Sequence, residues 1–67
     1  MVEVRINGAS ITLEDNMSVD SLVDSLGLSN KKIAIEINHQ IVSRSRYHSI
    51  TLNNGDKVEI VTAVGGG

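Results

Sequence analysis

Apolar and polar residues alternate from the start of the chain. Val2, Val4 and Ile6 interleave with Glu3, Arg5 and Asn7. This is the period of a strand with one buried face. Asn7-Gly8 follows, a pair that accepts the positive φ values of a type I′ turn. Alternation then resumes, with Ile11 and Leu13 pointing one way and Ser10, Thr12 and Glu14 the other. The pattern predicts a β-hairpin over residues 2–14. The period then lengthens. Val19, Leu22, Val23 and Leu26 fall at i, i+3, i+4 and i+7, one stripe of a helix. Ser18 is a good N-cap, Met17 and Leu22 have the spacing of a hydrophobic staple, and Asp20 suits the positive end of the helix dipole. Gly27 supplies a left-handed stop, so the predicted helix runs from Val19 to Leu26.

Ile33, Ile35 and Ile37 mark a third strand, with Ala34 and Glu36 on its other face. Asn38-His39 can turn the chain, and Gln40-Ile41-Val42 can return as a short strand. Residues 43–52 read as irregular, held down by Tyr47, Ile50 and Leu52. Asn53-Asn54-Gly55-Asp56 is a turn signal, and Lys57 begins a last strand that reaches Val61 or Thr62. One short helix covers one face of a sheet, so the order predicts a two-layer α+β fold. The last strand is expected beside the first, in the middle of the sheet. The uncovered face would then carry Glu3, Arg5, Thr12, Ala34, Glu36, Glu59 and Val61.

Composition sharpens this picture. The 67 residues suit one small domain, here residues 1–62, followed by an expected flexible tail, residues 63–67. Tyr47 is the one aromatic residue, so the core is aliphatic and a deep aromatic-walled pocket is not expected. The chain has no Cys, which removes disulfides, thiolate metal sites and cysteine nucleophiles. A net charge of −2 argues against nucleic-acid binding. No apolar run has the length of a membrane helix, and no secretory signal opens the chain, so a cytoplasmic location is expected.

Candidate chemistry concentrates at the end. His39 and His48 are too few for a metal site and read as turn and loop residues, so no metal is expected. No Ser lies in a G-x-S-x-G context, and Glu14-Asp15 reads as a solvated loop. Thr62-Ala63-Val64-Gly65-Gly66-Gly67 is different. Three glycines add no core and lose much backbone entropy on ordering. One reading is a frayed tail or a cut linker. The other is a functional terminus, in which the Gly67 carboxylate is the reactive group and Gly65 and Gly66 let it thread a narrow channel. Val61, Ala63 and Val64 read either as scattered surface apolar residues or as a docking patch leading into that tail.

The run Asp56-Lys57-Val58-Glu59-Ile60-Val61-Thr62-Ala63-Val64-Gly65-Gly66-Gly67 resembles the end of the ThiS sulfur carriers of thiamine biosynthesis. Ile37-Asn38-His39-Gln40-Ile41-Val42-Ser43-Arg44, followed by Tyr47, is similar to that family's middle, with Ser43 and Tyr47 where Pro and Trp are usual. The resemblance implies a ubiquitin-like β-grasp: a mixed sheet of four to five strands with one helix on one face. It also implies a carrier rather than an enzyme, with no cofactor of its own. A ThiF-like, E1-type enzyme would use Mg-ATP to adenylate Gly67, and a cysteine desulfurase or other donor would supply sulfur to give a thiocarboxylate. ThiG thiazole synthase would accept that sulfur. The small subunit of molybdopterin synthase, a ubiquitin-like modifier and a non-covalent β-grasp binding module are the competing implications.

Overall fold

The computed structural model describes residues 1–62. Strands β1 (Val2–Ile6) and β2 (Ala9–Leu13) form the expected hairpin, in register from Val2↔Leu13 to Ile6↔Ala9. Its two-residue turn needs positive φ at both positions, and Asn7 and Gly8 adopt +51° and +87°. Helix α1 (Val19–Ser25) follows, then β3 (Ile33–Ile37), β4 (Gln40–Val42), a single 3₁₀ turn over Arg44–Arg46, and β5 (Lys57–Thr62). The five strands lie in the order β2-β1-β5-β3-β4. Only β1 and β5 run parallel, so the sheet is mixed and β5 occupies its centre. This is the expected two-layer β-grasp architecture.

The helix begins as its sequence dictates. Ser18 Oγ accepts the Ser21 N–H at 3.0 Å. The N–H groups of Val19 and Asp20 donate to the carbonyls of Ile50 and Tyr47 at 2.9 and 3.1 Å. The long segment after β4 therefore holds down the helix start and is held by it. Tyr47 and Leu52 bury their side chains beneath the sheet's helix side. Leu52 N–H reaches the Met17 carbonyl, and Ser18 and Thr51 form an isolated bridge.

The helix ends one residue earlier than its apolar stripe predicts. Gly27, at φ +73°, reverses the chain, and the N–H groups of Gly27 and Leu28 return to the carbonyls of Asp24 and Val23, both at 3.0 Å. This is a Schellman closure. It leaves Leu26 as an exposed cap residue and brings Leu28 against the core in its place. The core itself is aliphatic. Val4, Val19, Leu22, Ile35, Leu52 and Val58 are its most deeply buried side chains.

Candidate functional site

The features that position the end of the chain are built around β5. Its ladder to β1 is short, with Arg5 and Ile6 registered on Lys57 and Val58. The β1 backbone then turns away at Asn7. The Asn7 side chain continues the ladder that its backbone abandons: Oδ1 accepts the Ile60 N–H at 2.8 Å, and Nδ2 donates to the Ile60 carbonyl at 3.1 Å. The Asn7 N–H also donates to the Val58 carbonyl at 2.9 Å.

The second hairpin, β3–β4, grips β5 from the opposite side. Asn38 and His39 form its two-residue turn, with φ of +51° and +70°. The Asn38 N–H donates to the Lys57 carbonyl at 2.8 Å, and Asn38 Oδ1 accepts the Lys57 N–H at 3.0 Å. Asn38 Nδ2 donates to Asp56, whose other oxygen accepts the Asn53 N–H at 2.8 Å. Asp56 is the one buried charged side chain among the described residues, and both its oxygens are occupied. Each hairpin thus places an asparagine at the first position of its turn, and the two clasp β5 at Ile60 and Lys57. Pattern reading assigns both asparagines to turns and misses this role. The signal was available in part, because the same residue type recurs at the same position of two two-residue hairpin turns.

The sheet face away from α1 is open, as expected. Its rows follow from register. Val61 lies opposite Ala34, and Glu59 opposite Glu36, with Ile41 beyond Glu36 on β4. Lys57 lies opposite Arg5, with Ser10 beyond. Val61 and Ile41 are 64% and 80% exposed, large fractions for residues of their size. Val61 is therefore on the face assigned to it. Ile41 was not placed there from the sequence. Its position follows from the two-residue turn, which pairs Ile37 with Gln40 and so Glu36 with Ile41.

Of the other candidate residues, Ala63, Val64, Gly65, Gly66 and Gly67 lie outside the described residues. His39 is an exposed turn residue and His48 an exposed loop residue. Among the described residues no group of three or more His, Cys, Asp or Glu side chains could hold a metal, and no helix is long and apolar enough to cross a membrane. A cleft of about 350 Å³ lies beside β4, lined in part by Arg46, Thr51 and Asp56. The Asp56 carboxylate is committed to the Asn38 clasp, so the cleft has no free buried acid.

Together these features define a small β-grasp domain whose central strand, clasped on both sides, delivers a glycine-rich terminus. The ThiS family model matches residues 4–67, and the chain belongs to that family of sulfur carriers. The sulfur carrier protein ThiS of Bacillus subtilis is 35% identical over 65 residues, spanning 96% of this chain and 98% of the relative. A thiazole synthase of Paramagnetospirillum magneticum is 42% identical over 66 residues, or 98% of this chain. The chain spans only 20% of that relative's length. The crystal structure of the thiamine biosynthesis protein ThiS from Geobacter metallireducens superposes with a TM-score of 0.84 at 25% identity, covering 98% of this chain and 100% of that one.

Proposed function

We propose that this chain carries sulfur as a thiocarboxylate on Gly67 and donates it to thiazole formation in thiamine biosynthesis. The observation that carries the reading is the Gly65-Gly66-Gly67 run directly after the clasped strand β5, within a match to the ThiS family that extends to residue 67. The carboxylate of Gly67 attacks the α-phosphorus of Mg-ATP in a ThiF-like enzyme, and pyrophosphate leaves. The acyl adenylate then reacts with a hydrosulfide equivalent from a cysteine desulfurase or other donor. The carbon–oxygen bond to AMP breaks, a carbon–sulfur bond forms, and AMP departs.

The labour divides on physical grounds. Adenylation needs a metal-bound nucleotide and groups positioned around a charged transition state, which a large enzyme supplies. The carrier supplies a terminus without Cβ atoms, able to enter a narrow channel. The acceptor is a ThiG-type thiazole synthase. This is supported by the Paramagnetospirillum magneticum relative, a thiazole synthase that contains a stretch like this chain within a polypeptide about five times as long.

Intact mass after incubation with a ThiF-type enzyme, Mg-ATP and a sulfur donor tests the reading. One oxygen should be replaced by one sulfur at Gly67. Gly67→Ala should fold normally yet be activated far more slowly, because its methyl group meets the channel wall. An unchanged mass with an enzyme active on another carrier would overturn the proposal.

A further inference from the structure

The open face is banded along β5. Nearest the chain end stand Val61 and Ala34, then the carboxylates of Glu59 and Glu36 with Ile41 beside them, then the cations of Lys57 and Arg5. Two features of this banding work against the isolated fold. Val61 and Ile41 hold large apolar surfaces in water. Glu36 and Glu59 are directly opposed across neighbouring strands, where side chains stand about 5 Å apart at Cβ and like charges repel. Among the described residues no ion pair joins either carboxylate to a cation.

We propose that this band is the docking surface for the sulfur-accepting thiazole synthase, and that Glu36 and Glu59 together receive one basic side chain of that enzyme. The inference rests on the sulfur-carrier reading above. Ala34 is small and lies between the larger Val61 and the β4 edge, so its position is a shallow seat flanked by Val61 and Ile41. An arginine stem fits such an apolar seat. Its planar fork matches two carboxylates, where a lysine ammonium would act only as a point charge. The order of the bands also gives direction. A partner whose basic group meets the acidic row and whose acidic groups meet Arg5 and Lys57 is held in one orientation, with the end of β5 leading toward its active site. Opposed charges set orientation and encounter rate in this way. The location is continuous with the strand that carries the tail.

The test is calorimetric titration of the unactivated full chain into purified thiazole synthase, comparing wild type with the Glu36→Gln, Glu59→Gln double variant at low and high salt. The expected result is at least tenfold weaker binding at low salt, with the gap closing at high salt as screening removes the ionic part. The double variant should also unfold at the same or higher denaturant concentration, because a repulsion has been removed. Weaker binding with undiminished stability is a combination that a purely structural role cannot produce. Equal binding by both proteins, or a loss that is independent of salt, would overturn the inference. The same preparations, assayed for sulfur loading at Gly67, keep the two ideas apart. Normal loading with unchanged synthase binding leaves the carrier reading standing and removes this one. Failure of the wild type to load or to bind removes both.

Discussion

Neighbouring residues of the same strands have opposite fates. Val4, Ile35 and Val58 lie beneath α1 and are at most 2% exposed, whereas Arg5, Glu36 and Glu59, one position along, face solvent. The buried face is uniform in chemistry and tolerates no gap. The open face mixes apolar, acidic and basic rows and includes a charge pairing that folding alone would not select. One side of the sheet therefore holds the domain together, and the other is free to be shaped for recognition. This separation matters in a chain so small, because a domain of 67 residues has about 3–10 kcal/mol of net stability.

The sharpest way to break the comparison is on the buried side. Ile35→Ala removes three carbons from a fully buried position in β3. Core truncations of this kind cost about 2–5 kcal/mol. Equilibrium urea denaturation should show the domain close to unfolded. A loss under about 1 kcal/mol would mean that the helix layer collapses onto the gap far more readily than close-packed cores do.

Asn7 tests the seam between the two faces. Asn7→Ala should cost about 2–4 kcal/mol: the left-handed backbone penalises a Cβ, and the Ile60 N–H and carbonyl lose their partners. Asn7→Gly keeps the turn and loses only the clasp, so its cost should be smaller, about 1–2 kcal/mol. Amide exchange at Ile60 should quicken in both variants. Equal costs for the two substitutions, with Ile60 exchange unchanged, would show that only the turn conformation matters.

Much of this architecture is legible in the residues. The alternation from Val2 to Leu13, the stripe on α1 and the Asn-Gly turn are local signals, and each matches the element it predicts. The sheet order followed from counting faces: one helix covers one side, and the last strand must fill the middle. The clasps were harder to see. Asn7 and Ile60 are 53 positions apart, and a turn already accounts for an asparagine before glycine. Leu26 and Leu28 exchanged roles because the stripe extrapolates a helix that the Gly27 closure has already ended. Ile41 lies on a strand of three residues, too short for a period to show which way it points. The ThiS-type terminus was legible from its glycines and the run leading into them.

Ile41 also supplies the gentlest test of the two faces. Ile41→Ser exchanges a large apolar side chain for a small polar one on an edge strand. On the helix side such a change would be severe. Here the side chain is 80% exposed, so little of its surface leaves water on folding and little hydrophobic free energy is at stake. Loss of β-branching weakens the strand slightly, while removing an apolar group from water on the folded surface reduces self-association. The net change in unfolding free energy should stay within about 0.5 kcal/mol. If urea denaturation instead reports a loss above about 1.5 kcal/mol, Ile41 is a structural residue and the open face is not independent of the fold. If stability holds, any deficit of this variant in binding a partner belongs to the surface itself, since the domain beneath it is unchanged.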